Sequence, residues 1–301
     1  MSAEGYLHPL YAESFAETGT PVYLPSSGGW LVRRAIPGTP YCDAMGPYPM
    51  FFCENWAALI QELEALKHEL VSLVLVISPL ADFPTADYQA YFEICKPYKD
   101  HFILDLSSPL MGSISDNKRK LARRALRQLE VHLETAPSKY LDEWVHLYAC
   151  LIRRHNIQGL RAFSRQSFAR QLAIPNTHYF RVLHQGRCVG GNLYYIQGDT
   201  AYAHLSAFTQ EGYAAGAPYA VKWAAIRYFS GFLRWVNFGG GTGGGAEAPN
   251  GLELFKQGWS NITRQAYLCG KILNPGVYAE LREKAGSQDT AWFPAYRAGE
   301  F

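Results

Sequence analysis

The sequence predicts an α/β (α+β) protein in which central mixed sheets are flanked by helices. Three strand-like runs follow one another closely in the second half of the chain, and helices alternate with further strands after them. Shorter helix and strand signals also alternate in the first half. The 301 residues, of which 48% are hydrophobic, are sufficient for two domains of ordinary size. We therefore expect two α/β domains around a shared cleft.

In the first half, apolar spacing predicts one helix and two strands. Asn55 is a typical helix cap, and apolar residues recur at spacings of three and four from position 56 to position 70. Short buried strands are predicted at 71–77 and 102–106. This half is expected to form a small α/β layer.

The second half has clearer periodicity. A basic helix is predicted from residue 116, an amphipathic helix at 141–152 and a shorter helix at 164–172. Antiparallel strands are predicted at 178–184, 188–196 and 200–208. Pro218 is favoured at the start of the helix that follows. The remaining predicted elements are a strand at 235–238, a helical turn at 252–258 and a strand at 263–272.

The charge and composition argue against several classes of protein. A formal net charge of +2 gives no global field that would attract nucleic acid or an anionic membrane. The chain has no apolar run near the roughly 18 residues that span a bilayer, and no basic and then apolar leader. We expect a cytoplasmic protein without a membrane span. The cysteines are scattered, which predicts reduced thiols and no metal site.

A glycine-containing segment after the third predicted strand is a candidate donor site. Glycines allow a loop to bring backbone N–H groups close to a phosphate, and a helix N-terminus favours an anion. A plain turn is the alternative. The residues expected to contact the donor are Gln210, Gly212, Tyr213, Ala215, Gly216 and Ala217.

Three motifs resemble those of known acyltransferases. The segment 210–217 resembles the Q/R-x-x-G-x-G/A pyrophosphate signature of the GNAT acyltransferases. The run Asn237-Phe238-Gly239-Gly240-Gly241, followed by Phe255-Lys256, is similar to the glycine-rich segment and Phe-Lys motif of FemAB-like proteins. The helix with Arg123-Arg124-Ala125 resembles the arginine-rich helix that opens the second half in that family. The resemblance covers about residues 103–273.

The resemblance implies two GNAT-like domains around a shared cleft, a degenerate one at 1–105 and an acyltransferase domain at 106–301. It implies N-acyl or aminoacyl transfer to a primary amine of a small molecule or of a peptide- or sugar-linked cell-envelope precursor. The donor is acyl-CoA or aminoacyl-tRNA, with no metal. The chain lacks the long coiled-coil arm of some peptidoglycan-bridge enzymes, which favours the coenzyme A thioester. The alternative is a catalytically silent nucleotide- or RNA-binding protein on the same fold.

Three side chains are candidate catalytic residues. Strand alternation places His204 and Ser206 on one face, and an imidazole with a pKa near 6.5 suits proton removal at neutral pH. A structural histidine is the alternative, and Glu253 is the competing base. Lys256 lies at the edge of an apolar stripe that contains Phe255. Its ammonium is expected to meet a developing oxyanion or an acceptor phosphate, the alternative being a surface lysine over Trp259.

The acceptor is expected to contact residues from both halves. Gly240 and Gly241 belong to the glycine-rich stretch 239–245, which is expected to close over the acceptor; a flexible connection is the alternative. Ser206 and Phe255 are further candidates for acceptor binding. Arg33 and Tyr41 are expected to reach an acidic acceptor across the cleft. The basic helix at 118–127 is expected to be a solvated face, with phosphate or tRNA binding as the alternative.

Overall fold

The strands of the described chain lie in one mixed sheet. The structure is a computed structural model that describes residues 4–82, 85–241, 250–287 and 289–300. Its strands, in chain order, are β1 (Thr20–Leu24), β2 (Gly29–Ala35), β3 (Cys42–Met45), β4 (Ser72–Ile77), β5 (Ile94–Asp105), β6 (Leu129–Glu134), β7 (Thr177–His184), β8 (Arg187–Gln197), β9 (Thr200–Phe208), β10 (Trp235–Gly240) and β11 (Ile262–Ile272). Across the sheet the order is β1-β2-β3-β4-β11-β5-β10-β9-β8-β7-β6.

Helices cover this sheet. They are α1 (Pro9–Glu13), α2 (Trp56–Ala65), α3 (Thr85–Tyr91), α4 (Leu110–Ser113), α5 (Asp116–Ala125), α6 (Leu141–His155), α7 (Arg165–Leu172), α8 (Gln210–Ala215), α9 (Ala217–Phe229), α10 (Gly251–Gln257) and α11 (Pro275–Lys284). Side-chain caps begin several of them, as predicted for Asn55 at the start of α2. The α/β fold class with a flanked mixed sheet is confirmed. No helix in the described ranges has both the length and the apolar character needed to cross a bilayer.

The last strand of the chain joins the strands of the first half. β11 pairs antiparallel with β4 on one side, where Tyr267 lies opposite Ile77, and with β5 on the other, where Thr263 lies opposite Phe102. The division at residues 105 and 106 stays a prediction. In the structure, the centre of the sheet combines strands from both sides of that division.

Two large cores hold the helices on the strands that follow residue 128. In the first core, Ala122 of α5, Val221 of α9 and Trp259 pack with Val236 of β10. In the second, α1, α6 and α7 contribute aromatic rings that meet edge to face. The sheet is therefore buried on both faces here, and an interruption in strand pairing is one place where its backbone can meet a ligand.

Two predicted segments differ from the structure. β5 begins at Ile94 rather than near residue 102, because its first half carries charged and exposed residues that hide the strand pattern. The segment 210–217, predicted as a glycine loop, contains helix α8. Thr209 caps α8, since the amide of Gly212 donates to its hydroxyl oxygen at 3.0 Å. Gly216 then separates α8 from α9 with a φ of +82°, a conformation that suits glycine.

Candidate active site

A cleft opens where two parallel strands of the sheet part. β10 pairs with β9 from Trp235 opposite Thr200 to Asn237 opposite Tyr202, and the register ends there although both strands continue. The parting leaves backbone groups of β9 without β10 as a partner, and groups at such a point are free to contact a ligand.

Two β-bulges accompany the parting. On β10, Asn237 lies opposite Ile103 of β5 and Gly240 lies opposite His101, so β10 has one extra residue there. Gly239 occupies this bulge with a φ of +75°. On β9, the register with β8 shifts between Ala203 and Leu205, so His204 is the extra residue. Bulges bend strands and redirect side chains, and they are common beside functional sites.

The bulge on β9 corrects the predicted face of that strand. Strict alternation puts Tyr202, His204, Ser206 and Phe208 together. In the structure, Tyr202 packs in the core with α6, whereas Phe208 packs in the core on the opposite face with α9. Ser206 therefore does not line the cleft with His204.

The cleft is small and has a larger cavity beside it. Its volume is about 120 Å³, and Lys99, His101, His204, Asn237, Gly240, Gly241 and Lys256 are among the residues that line it. The second cavity measures about 350 Å³ and shares Tyr48, Pro49, Tyr98 and Lys99 with the cleft. Two of the catalytic candidates and both cleft glycines are therefore brought together. Residues 242–245 of the predicted glycine loop lie outside the described residues.

Lys256 reaches the cleft from α10. The capping box between Asn250 and Glu253 starts this helix, and Phe255 packs against Tyr219 and Trp259. The side chain of Lys256 then leaves the packed stripe, and its ammonium donates to the carbonyl oxygen of Gly240 at 2.6 Å. The lysine is thus not a surface residue over Trp259. An ammonium has three donors, so two remain for a ligand.

Other cations surround this ammonium. Burial, followed by the charge of Lys99, lowers the pKa of Lys256 to about 8, although Glu253 acts in the opposite sense. Lys222 of α9 is 5% exposed, and its amine lies 4.6 Å from the ring centre of Phe238. Burial, followed by the charge of Lys256, lowers the pKa of Lys222 to about 7. This cluster of amines favours an anionic or oxyanion-bearing ligand.

His204 is held by hydrogen bonds on both ring nitrogens. Nε2 lies 3.2 Å from the side-chain oxygen of Gln171, and the hydroxyl of Tyr6 lies 3.3 Å from Nδ1. Gln171 is oriented by Ser14: the Ser14 hydroxyl donates to the backbone oxygen of Tyr11 and accepts from the Gln171 amide nitrogen. His204 therefore donates from Nε2 and accepts at Nδ1, and these contacts favour the structural alternative for this residue.

The buried imidazoles predict a loss of stability in acid. Burial lowers the pKa of His204 to about 3 and that of His101 to about 4, whereas both are near 6.5 in the unfolded chain. As pH falls below 6.5, the unfolded state gains protons that the folded state does not. Each group should therefore lower the free energy of unfolding by about 1.4 kcal/mol per pH unit down to its folded pKa. The free energy of unfolding can be measured by urea titration at several pH values between 4 and 6.5. Its slope against pH should be smaller in His204→Gln than in the wild type by about 1.4 kcal/mol per pH unit. An unchanged slope would contradict burial of His204 in the neutral form.

The predicted donor residues form part of a packed helix junction. The amides of Tyr213 and Gly216 donate to the backbone oxygens of Thr209 and Tyr213, at 3.0 and 3.2 Å. A Cβ on Gly216 would lie 3.2 Å from the Cβ of Ala125 in α5. Gln210 and Ala215 lie in α8, and Ala217 is fully buried. The predicted open loop is therefore wrong as a conformation, because the amides of Gly212, Tyr213 and Gly216 are already hydrogen-bonded, whereas donor binding by these residues stays a prediction.

The other candidates do not line the cleft themselves, although the carboxylate of Glu253 lies directly against Gly241, which does. Glu253 also accepts from the backbone amide of Asn250 in the capping box. Phe255 packs in the core instead of facing the cleft. Arg33 lies on β2 and forms an exposed ion pair with Glu69, and Tyr41 precedes β3. β4, β11 and β5 separate β3 from β10.

Sequence reasoning missed His101 and Asn237. The ring Nδ1 of His101 lies 3.1 Å from the side-chain oxygen of Asn237, and both residues line the cleft. They are 136 positions apart, and only the pairing of β5 with β10 brings them together. The one available signal was the position of Asn237 in the run Asn237-Phe238-Gly239-Gly240-Gly241, two residues before the first glycine. No group of three or more His, Cys, Asp or Glu side chains that could hold a metal ion occurs in the described part of the chain.

Several solved structures have a fold similar to that of this chain. The structure of FemX superposes with a TM-score of 0.67 at 14% identity, covering 91% of this chain and 93% of FemX. The chain has the fold of FemX. This confirms the FemAB-like GNAT fold that the sequence motifs imply.

Two further structures share the FemX-like fold. The C-terminal domain of a protein assigned as a lysylphosphatidylglycerol synthetase from Agrobacterium fabrum has a TM-score of 0.63 at 16% identity, over 93% of this chain and 90% of the domain. L-PGS from Bacillus licheniformis has a TM-score of 0.57 at 15% identity, over 90% of this chain and 93% of that one. No protein-family model matches the sequence, and no curated protein is a significant match.

Proposed function

We propose that this protein transfers an acyl or aminoacyl group to a primary amine in the cleft between β9 and β10. The observation that carries the proposal is the ammonium of Lys256, bound to the Gly240 carbonyl oxygen at the point where the two strands part. Lys256 also belongs to the Phe-Lys motif that resembles the FemAB-like proteins. The FemX-like fold supports the same reaction.

In this reaction the protein must align the amine with the donor carbonyl and stabilise the negative charge that develops on the carbonyl oxygen. The amine nitrogen attacks the donor carbonyl carbon, a C–N bond forms, and the carbonyl oxygen becomes an oxyanion. Collapse of this adduct expels the thiolate or alkoxide of the donor, and the nitrogen loses a proton. Lys256 is mostly charged at pH 7 because its pKa of about 8 lies above that pH, so it can stabilise the oxyanion.

The acceptor body would occupy the larger cavity. Its walls include Val74, Val76, Leu268 and Phe293, and the described residues that line it include lysine and arginine but no Asp or Glu. An amine with an apolar portion and an acidic group suits such walls, because a carboxylate or phosphate would face cations. Tyr48 and Tyr98, shared by both cavities, would place the amine toward the cleft.

The donor is an acyl-CoA thioester or an aminoacyl-tRNA ester. The helical conformation of 210–215 weakens the case for a coenzyme A diphosphate at that segment, since the amides expected to hold it are already bonded. Both the thioester and the tRNA ester present an activated carbonyl to the amine, and they differ in the carrier attached to it. The transfer assay therefore includes both donor classes.

A transfer assay with both donor classes tests the proposed function. Purified protein is incubated with a panel of acyl-CoAs or with a mixture of aminoacyl-tRNAs, together with amines that carry or lack an acidic group. We expect one donor class to yield an amide product, detected as a mass increase of the acceptor, and Lys256→Met to yield far less. If neither class gives an amide while a nucleotide or RNA raises the melting temperature, the protein is the silent binding protein instead.

A further inference from the structure

The backbone of β10 fixes the orientation of the Asn237 side chain. The amide of Gly239 donates to the Asn237 side-chain oxygen at 2.8 Å. A backbone N–H can only donate, so the atom that faces it must be Oδ1. The other atom, Nδ2, has no hydrogen-bond partner within the described residues, although Asn237 is 1% exposed. Burying a donor without a partner is unfavourable, which makes this atom a candidate for a ligand contact.

The same oxygen fixes the tautomer of His101. Its Nδ1 lies 3.1 Å from Asn237 Oδ1, and an oxygen that accepts from Gly239 can only accept from the ring as well. His101 therefore carries its proton on Nδ1, and Nε2 has a free lone pair. Its neighbour Cδ2 would lie 3.2 Å from a Cβ at Gly240, so this edge of the ring faces the cleft glycines. No described residue bonds to Nε2.

We propose that His101 Nε2 and Asn237 Nδ2 bind the two reacting groups, Nε2 by accepting a hydrogen bond from the N–H of the attacking amine and Nδ2 by donating one to the acyl oxygen. This inference rests on the proposed function. The cleft would then have two hydrogen-bond donors for the acyl oxygen, Asn237 and Lys256, and one acceptor for the amine N–H, His101. That pattern matches the amide product and the tetrahedral adduct, which carry an N–H beside a C–O group.

His101 positions the amine and is not assigned the removal of its proton. Burial, together with the charges of Lys256 and Lys99, lowers the pKa of His101 to about 4, although the hydrogen bond from its ring to Asn237 acts in the opposite sense. The ring is then uncharged at neutral pH, and its lone pair is available to an N–H group. A base of that strength holds a proton poorly, so the proton leaves to solvent.

Nitrogen-15 NMR of labelled histidine tests the pair without any substrate. The free protein should show His101, assigned with a His101→Gln variant, as the neutral Nδ1–H tautomer at pH 7. N-methylacetamide carries one N–H and one C=O, and it should shift the Nε2 resonance. N,N-dimethylacetamide, which lacks the N–H, should leave Nε2 nearly unchanged. The opposite tautomer, or equal shifts with both amides, would overturn the assignment.

Asn237→Asp tests the pair in turnover. The aspartate keeps an oxygen for Gly239 and His101 but replaces the free donor by an acceptor. We expect kcat to fall about 100-fold, the usual cost of removing one oxyanion donor. The low-pH limb of the rate profile should also move upward, because the new carboxylate raises the pKa of His101. His204→Gln, a change at the imidazole whose nitrogens are both bonded, should lower stability without moving that limb.

The outcomes separate this inference from the proposed function. Wild-type transfer with an unchanged rate and pH profile in Asn237→Asp would overturn the pair and leave the function standing. A selective response to N-methylacetamide in a protein that transfers no acyl group would support the pair and contradict the function.

Discussion

Lys256→Met is expected to lower turnover about 100-fold or more while the protein keeps its fold. Methionine retains an unbranched apolar side chain, so the contacts of α10 with the core should persist. The variant loses the ammonium that binds the Gly240 carbonyl oxygen and that is proposed to stabilise the oxyanion. The measurement is kcat and KM with the donor and acceptor identified in the transfer assay, with the melting temperature as a check on folding.

The pH dependence gives the Lys256 prediction a second test. Because the pKa of Lys256 is about 8 and the charged form is the one required, wild-type activity should fall as pH rises through that value. Lys222→Met is the matched control, since it removes another buried amine of the same cluster. Because the pKa of Lys222 is about 7, its amine is mostly uncharged where Lys256 titrates, so Lys222→Met should leave the upper limb near pH 8, with turnover retained at pH 7. Near-normal turnover in Lys256→Met would contradict the role of the ammonium.

Local pattern was sufficient for most elements of the fold. The strands β7, β8 and β9 have alternating or continuously apolar residues between turns, and the α6 stripe is amphipathic over its length. Where polar residues occupied a strand, as in the first half of β5, the pattern failed. It also failed at α8, where two glycines suggested a loop although Thr209 provides a cap. Pairing across the sheet stabilises the first half of β5, and packing against β8, β9 and α9 stabilises α8.

The candidate site was only partly predictable, for a different physical reason. Lys256, Gly240 and Gly241, which the structure brings together at the cleft, could be selected from short motifs, because each motif is contiguous in sequence. The faces of β9 depend on a one-residue bulge that no periodicity reveals. His101 and Asn237 required the register between two distant strands. Arg33 and Tyr41 were chosen without knowledge of the strand order that separates them from the cleft.

Asp43→Ala is expected to destabilise the protein by about 3–5 kcal/mol. Asp43 lies on β3 with no exposed surface, and its carboxylate accepts from Arg34 Nε at 3.2 Å. It also accepts from Arg297 Nη2 and from the hydroxyl of Tyr296, each at 3.1 Å. Removing the carboxylate leaves two guanidinium groups, 4% and 7% exposed, without their buried anion, although the partly exposed carboxylate of Glu300 still pairs with both. Urea unfolding at pH 7 measures the loss.

A neighbouring ion pair is the control for Asp43. Arg33, next in the chain to Arg34, pairs with Glu69 at 3.7 Å, and both side chains are about half exposed, at 46% and 59%. Glu69→Gln should therefore change the free energy of unfolding by no more than about 1 kcal/mol, because water screens that pair. Equal effects of the two substitutions would contradict the buried cluster as a source of stability.

The Asp43 cluster also connects stability to the proposed acceptor cavity. Tyr296 and Arg297 follow closely on Phe293 and Pro294, which form part of the wall of the larger cavity together with Trp292. The carboxylate of β3 thus holds this carboxy-terminal segment against the sheet. In Asp43→Ala that is still folded, KM for the acceptor should rise more than kcat falls, since the wall is loosened while Lys256 stays on α10. A fall in kcat at constant KM would instead place the segment's influence at the reacting groups.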